Sequence, residues 1–206
     1  KEFNLIKNVK PLWVTNVILC EAKGRAIYQI AERNGIRRID YDEYRIVLPS
    51  QENSYGEAGT QDSREITWNV TLVNADQVWS EGYTGQGVIV SVIDTGVNYN
   101  HQDLSDHMWN GGIFYPLHGY DFANNDNNPM DDQGHGTHCA GTVAGDGTAG
   151  SQTGVAPDTE IMALKVLDTS GGGNESSCWQ AIEFSIENGA DVMSLSLGWL
   201  HAWNPD

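Results

Sequence analysis

Residues 88–96, with the sequence VIVSVIDTG, decide the fold of this chain. The run from Val88 to Ile93 is almost continuously apolar, which is typical of a parallel strand that is buried on both faces. Asp94 follows the run directly, so its carboxylate is predicted to lie at the carboxyl end of the strand, where α/β folds place their reactive groups. An aspartate in such a place is by itself more often a turn or helix-capping residue.

Further apolar runs repeat this pattern on either side of a helix. Residues 161–167 and 192–197 are predicted strands, and residues 176–188 between them have apolar residues at helical spacing, with Gly189 placed to end the helix. Asn74 is predicted to cap a shorter helix before the first strand. Strands that alternate with helices predict an α/β fold, in which a parallel sheet is covered by helices on both faces.

The second decisive stretch is 134–141, with the sequence GHGTHCAG. Its small residues suit the start of a helix that lies close to the sheet and leaves His135 uncrowded, although an isolated histidine is more often structural. A strand end IDTG followed about forty residues later by GHGTHCAG is a highly specific combination. The two motifs together favour a functional role for His135 over a structural one.

At these motifs the sequence resembles the subtilase family of serine endopeptidases. The resemblance runs from Trp68 onward and includes the segments 76–79 (DQVW), 85–87 (GQG), 101–104 (HQDL), 154–157 (GVAP), 189–192 (GADV) and 196–198 (SLG). It implies a triad in the chain order Asp, His, Ser, in which Asp94 orients His135 and His135 acts as general base and then general acid. It also implies a strand edge that pairs with polypeptide substrates in extended conformation. This edge would consist of Ser196, Leu197 and Gly198, which outside the family would be an ordinary buried strand end.

The resemblance implies hydrolysis of peptide bonds, but the family's catalytic serine and oxyanion asparagine both follow the Ser-Leu-Gly segment. Neither is found in residues 1–206, so this polypeptide alone is predicted to be inactive and to need the remainder of the catalytic domain. Residues 66–206 are interpreted as the N-terminal half of a subtilisin-like catalytic domain. The alternative is a catalytically dead subtilase-like module that binds peptides or regulates a partner.

Residues 121–132, DFANNDNNPMDD, are dense in the side-chain oxygens that calcium prefers. A solvated turn is the default interpretation of such a segment. The resemblance implies a structural calcium site, whose ligands would be Asp121, Asp126 and Asn128. Asp103 resembles a ligand of a second calcium site of the family, but the loop 145–152 that should complete it is rich in glycine.

The first 49 residues are predicted to be a separate unit with its own charge. Residues 1–45 carry nine basic and six acidic side chains, whereas the remainder carries two basic and 22 acidic ones. A strand at 12–20, a helix at 23–33 and strand-like segments around Ile36, Ile39 and 46–47 predict a small β-α-β unit. Such a unit is too small to be stable alone and is expected to dock on the acidic remainder by charge complementarity.

This unit, residues 1–49, resembles the later part of a subtilase propeptide. The resemblance implies a zymogen, in which the chain's own propeptide blocks the cleft until it is cut. Residues 50–65, SQENSYGEAGTQDSRE, contain no aliphatic residue larger than alanine and are predicted to be an exposed linker that carries the processing site.

Composition argues against several other classes of protein. The net charge of −17 opposes binding to nucleic acid or to an anionic membrane surface, and no apolar run approaches the length of a membrane span. Residues 1–10 lack the apolar core of a secretory signal, so any signal is expected to be gone, and secretion is implied only by the family. The cysteines have no metal-ligand spacing and are predicted to be buried free thiols: Cys20, Cys139 and Cys178.

Overall fold

The fold is built around one parallel sheet. A computed structural model describes residues 5–47 and 65–198. The strands are β1 Ile6–Leu12, β2 Val17–Ala22, β3 Tyr44–Ile46, β4 Ile89–Asp94, β5 Gly119–Asp121, β6 Glu160–Lys165, β7 Gly172–Asn174 and β8 Val192–Ser194. The helices are α1 Gly24–Ala31, α2 Trp68–Leu72, α3 Ala75–Ser80, α4 His135–Ala144 and α5 Glu175–Glu187. None of the helices in these two ranges is long and apolar enough to cross a membrane.

Four strands form the central sheet in the order β5-β6-β4-β8, and all neighbouring strands are parallel. Lys165 of β6 lies opposite both Asp94 of β4 and Asp121 of β5. These three strands therefore end level with one another, and their last residues share the carboxyl edge of the sheet. The predicted α/β architecture with a parallel sheet is confirmed.

Helices α4 and α5 cover opposite faces of this sheet. Val92 packs in one apolar cluster with Ala140 of α4, and Ile93 packs in a second cluster with Phe184 of α5. Successive side chains of a strand point to opposite faces of the sheet, so the contacts of Val92 and Ile93 place α4 on one face and α5 on the other. Burial on both faces explains why residues 88–93 are almost continuously apolar, as predicted, and the one polar side chain of the run, Ser91, is itself buried.

Two predicted strands end before their apolar runs do. Strand β6 stops at Lys165, because the N–H groups of Val166 and Leu167 both donate to the carbonyl of Asp94, at 2.8 and 3.2 Å. These bonds turn the chain around the end of β4. Strand β8 stops at Ser194, and the next four residues have no strand structure.

The helix predictions agree more closely with the structure. Helix α5 ends at the predicted place, where Gly189 has a φ of +79° that suits glycine. Asn74 does precede α3, but the prediction that its side chain caps the helix is wrong. Its Oδ1 accepts a hydrogen bond from the side chain of Gln77 at 3.2 Å instead.

The N-terminal unit differs from the predicted β-α-β arrangement. A single strand at 12–20 is wrong, because the chain turns at residues 13–16, where Asn16 has a φ of +53°, and β1 and β2 form an antiparallel hairpin. No strand forms around Ile36 and Ile39, whereas the predicted helix is confirmed as α1. Strand β3 pairs antiparallel with β7 of the second unit and not with the hairpin. The predicted linker 50–65 lies, apart from Glu65, outside the described residues.

Candidate active site

Asp94 and His135 meet at the carboxyl edge of the sheet. Asp94 is fully buried, and its Oδ1 lies 2.8 Å from Nδ1 of His135 and accepts the N–H of Thr95 at 2.7 Å. An ionised carboxylate can only accept, so this contact requires the imidazole proton on Nδ1 and leaves Nε2 of the neutral ring as the basic nitrogen. The side chain of His135 is 25% exposed, so the ring is not sealed in the interior. Oδ2 of Asp94 is buried and has no hydrogen-bond partner among the described residues.

Glycine residues allow α4 to begin so close to β4. Gly134, directly before the helix, has a φ of +105°, a conformation that glycine adopts without strain. A Cβ atom at Gly136 would lie 2.1 Å from the carbonyl oxygen of Gly96 and 3.1 Å from Cβ of Asp94. Only glycine fits at this contact, and the close approach brings His135, the first residue of α4, onto Asp94.

A buried lysine supports the same edge of the sheet. The side chain of Lys165 is 1% exposed, and its Nζ donates to the carbonyls of Thr95 and Leu167 and to Oδ1 of Asp132, at 2.7, 2.8 and 2.7 Å. All three donors of the ammonium group are therefore satisfied, which compensates its removal from water. Since Thr95 follows Asp94, Lys165 braces the strand end that carries the carboxylate. The sequence signal that could have revealed it is a lone charge inside a predicted buried strand.

Cys139 is a further neighbour of the pair that the sequence analysis did not place there. It lies one helical turn after His135, and its Sγ is 3.8 Å from Nδ1 of that ring. With Asp94 these residues form a group whose potential metal-ligand atoms lie within 4.8 Å of one another. Burial raises the pKa of Cys139, and burial also raises the pKa of Cys178, to about 12. The three cysteines are free thiols, as predicted, but Cys20 and Cys139 are only partly buried, so the prediction that they are buried is correct for Cys178 alone.

The Ser-Leu-Gly segment lies beside the pair but is not a strand. Ser196 and Gly198 are exposed, whereas Leu197 packs against the apolar cluster on the α5 side of the sheet. Burial raises the pKa of the Cys139 thiol, and the nearby side chain of Ser196 partly offsets this effect. The role of this segment in binding substrate stays a prediction.

The predicted calcium ligands use their oxygens within their own loop. Both carboxylate oxygens of Asp121 accept from Asn124, each at 2.8 Å, and Oδ1 of Asp126 accepts the N–H of Asn128 at 2.8 Å. Oδ1 of Asn128 in turn accepts the hydroxyl of Tyr99 at 2.8 Å. Such oxygens are the ligand type that calcium prefers. Among the described residues, however, neither Asp121 nor Asp126 belongs to a cluster of side chains whose ligand atoms lie close enough to share a metal ion. Calcium at this loop stays a prediction.

Asp103 is held by the loop that was expected to share a calcium ion with it. Its Oδ1 accepts the N–H of Ala149, and its carbonyl accepts the N–H of Asp146 at 3.4 Å. The loop 145–152 thus reaches Asp103 through its backbone, which its small residues permit.

The N-terminal unit packs on α5 and β7 through hydrogen bonds. Asp42 accepts the N–H and the hydroxyl of Ser176, in the first turn of α5, at 3.2 and 2.6 Å, and its carbonyl accepts the side chain of Asn174 at 2.9 Å. The N–H of Val14 donates to the nearly buried carboxylate of Glu183 at 3.0 Å. Within the two described ranges no ion pair joins the units, so the expected charge complementarity is not expressed as salt bridges.

Known proteins resemble the region that contains the pair. A family model described as the subtilase family matches residues 85–204. Minor extracellular protease Vpr of Bacillus subtilis (strain 168) is 44% identical over 145 residues, which are 66% of this chain and 17% of that protein. Subtilisin DY of Bacillus licheniformis is 39% identical over 137 residues, 66% of this chain and 46% of the relative. Thermitase of Thermoactinomyces vulgaris is 38% identical over 129 residues, 61% of this chain and 42% of the relative. The chain therefore spans less than half the length of these relatives.

Proposed function

The chain belongs to the subtilase family, and from that premise we propose that it supplies the aspartate and histidine of a serine endopeptidase. The observation that carries the proposal is the 2.8 Å contact between Oδ1 of Asp94 and Nδ1 of His135 at the carboxyl edge of the sheet. The nucleophilic serine belongs, in this proposal, to the remainder of the catalytic domain. The substrates are polypeptides bound in extended conformation, in part by Ser196, Leu197 and Gly198.

The geometry supports a definite division of labour. Asp94 keeps the proton of the neutral imidazole on Nδ1, so that Nε2 can take the proton of the serine as its oxygen attacks the peptide carbonyl. The buried carboxylate stabilises the imidazolium ion that forms. His135 then passes the proton to the leaving amine, and water, activated by the same nitrogen, hydrolyses the acyl-enzyme.

The test uses the full-length protein, a peptide substrate and a fluorophosphonate probe for reactive serine. The wild-type protein should be labelled, and His135→Ala and Asp94→Asn should each lower kcat by about 10⁴-fold or more. His138→Ala is the matched control, because His138 lies on the same helix but is exposed, and it should stay within about twofold of wild type. A folded full-length protein that is neither labelled nor active would favour the catalytically dead peptide-binding module.

We further propose that residues 1–49 are an inhibitory propeptide. Support comes from the pairing of β3 with β7, which is the way an extended peptide adds to an exposed strand edge, and from the contact of Asp42 with the start of α5. Processing is expected within residues 50–65. N-terminal sequencing of the mature protein checks this, and a start outside that stretch would contradict it.

Calcium binding and secretion complete the proposal. Asp121, Asp126 and Asn128 would hold one calcium ion, and Asp103 would contribute to another. Titration calorimetry should detect Ca²⁺ binding to the full-length protein, and Asp126→Asn should weaken it whereas Asp158→Asn, an aspartate outside both loops, should not. An extracellular relative supports export, so the protein should be recovered from the culture medium of its host.

A further inference from the structure

One carboxylate outside the pair holds the strand end and the helix start together. Oδ1 of Asp131 accepts the hydroxyl of Thr95 at 2.9 Å. Its Oδ2 accepts the N–H of Thr137 at 2.9 Å and also the hydroxyl of that residue. Thr95 directly follows Asp94, and Thr137 is two residues beyond His135. A single side chain therefore bonds to the close neighbours of both members of the pair.

The hydroxyl of Thr95 extends this connection. Because a carboxylate accepts, the hydroxyl must donate to Asp131, and its oxygen then accepts the N–H of Gly136 at 2.9 Å. The backbone N–H of the same threonine donates to Oδ1 of Asp94 at 2.7 Å. Thr95 thus links Asp131, the first turn of α4 and the buried carboxylate in one hydrogen-bonded chain.

Asp131 also takes the place of a missing helix cap. The residue before α4 is Gly134, which has no side chain to accept the free N–H groups of the first turn. Oδ1 of Asp131 accepts the N–H groups of Gln133 and Gly134, at 3.0 and 2.8 Å, in addition to the Thr137 bond described above. Burial by itself raises the pKa of Asp131, but the hydrogen bonds from Gly134, Thr137 and Gln133 outweigh it, so the pKa lies below its ordinary value. The side chain therefore carries its negative charge at neutral pH, at the positive end of the helix dipole.

We propose that Asp131 is a positioning residue that fixes the imidazole of His135 against Asp94. It sets where α4 begins relative to the end of β4, and hence the direction in which Nε2 of His135 points. The inference rests on the proposed function, since orientation matters only if this ring transfers a proton. Asp131 itself contacts neither the ring nor, in this mechanism, the substrate.

The test compares Asp131→Asn with Asp191→Asn in the full-length enzyme. An asparagine has the same shape but replaces one acceptor oxygen by a donor, which opposes the N–H groups that Asp131 accepts. Asp131→Asn should lower kcat about 10- to 100-fold with KM within about twofold, the scale expected for a misplaced catalytic group. Asp191 accepts the N–H of Ile89 at the opposite end of β4, at 2.9 Å. Its variant makes the same change of charge, and its kcat should stay within about twofold of wild type.

If the role of Asp131 were purely structural, its replacement would lower stability without changing the hydrogen bond of the His135 imidazole. The second readout is therefore the proton NMR signal of Nδ1–H of His135, which should exchange faster with solvent in Asp131→Asn than in wild type or Asp191→Asn. If Asp131→Asn does not fold, Thr95→Ala and Thr95→Ser replace it in the test. The serine variant keeps the hydroxyl, and its kcat should stay within about threefold of wild type. The alanine variant lacks the hydroxyl, and its kcat should fall about 10- to 100-fold, as for Asp131→Asn.

The outcomes separate the inference from the function on which it rests. A full-length protein in which wild type and His135→Ala are equally inactive would refute the proposed function. An active wild type, an inactive His135→Ala and an Asp131→Asn with unchanged kcat and unchanged Nδ1–H exchange would refute the role of Asp131 alone. Equal kcat in Thr95→Ala and Thr95→Ser would refute it as well.

Discussion

Replacing Lys165 by methionine removes the buried ammonium group that braces the end of β4. Methionine has a similar length, so the main loss is electrostatic. The carbonyls of Thr95 and Leu167 each lose a donor at 2.7 to 2.8 Å, whereas Asp132, whose side chain is 51% exposed, can turn to water. Each buried carbonyl without a partner costs about 1–3 kcal/mol, and the relief from no longer burying a charge offsets part of the sum. We expect Lys165→Met to lower the free energy of unfolding by about 2–4 kcal/mol.

The assay is urea unfolding followed by circular dichroism and tryptophan fluorescence, in a His135→Ala background that prevents self-digestion. The melting temperature should fall by about 5–15 °C. Asp132→Asn is the matched control, because it leaves an acceptor for Nζ and changes a half-exposed group, and it should lose less than about 1 kcal/mol. A loss below about 1 kcal/mol for Lys165→Met would refute the idea that this lysine supports the strand end.

Three further predictions concern other contacts. Asp42→Ala should weaken the proposed inhibition by the N-terminal unit about 5- to 30-fold, because α5 loses a capping carboxylate worth about 1–2 kcal/mol, whereas Asp40→Ala should not. Equal inhibition constants for the two variants would contradict this. Gly136→Ala should unfold the site or lower stability by about 2–4 kcal/mol, and Gly141→Ala, on the same helix with open space for a Cβ, should be neutral or stabilising in thermal melts. The folded pKa of Asp131 lies below its unfolded value of about 3.9, so the contribution of this carboxylate to stability is complete above that pH and is lost as the pH falls further. Acid unfolding curves of wild type and Asp131→Asn should therefore converge at low pH. Parallel curves would contradict this contribution.

The elements that the sequence predicts well are those with long or strongly patterned signals. Strand β4 has an almost continuously apolar run, and α5 has helical spacing with Gly189 at its end, so local rules suffice for both. The proximity of Asp94 and His135 follows from a parallel sheet whose strands end level and from small residues at the start of α4. The contact itself was expected from the family resemblance that the two motifs carry, and the structure supplies its physical reason.

Other features depend on tertiary structure and have weak local signals. Strand β7 begins with two glycines, which disfavour strands, and it forms only because β3 pairs with it from far along the chain. The turn of the N-terminal hairpin is hidden in a run rich in β-branched residues. Burial of Lys165 runs against the ordinary preference of lysine for the surface, and only its three acceptors make it favourable.

The pairing of β3 with β7 has a kinetic consequence, because both strands belong to one polypeptide. Coverage of β7 is a unimolecular event with an effective concentration in the millimolar range, so dilution does not expose it and a free peptide competes poorly. Cleavage of the chain between the two units makes the binding of β3 to β7 a bimolecular reaction, which slows as the protein is diluted. A single cut would thereby convert a tethered segment into one that departs at its own dissociation rate and returns only by a bimolecular encounter, which becomes rare as the protein is diluted.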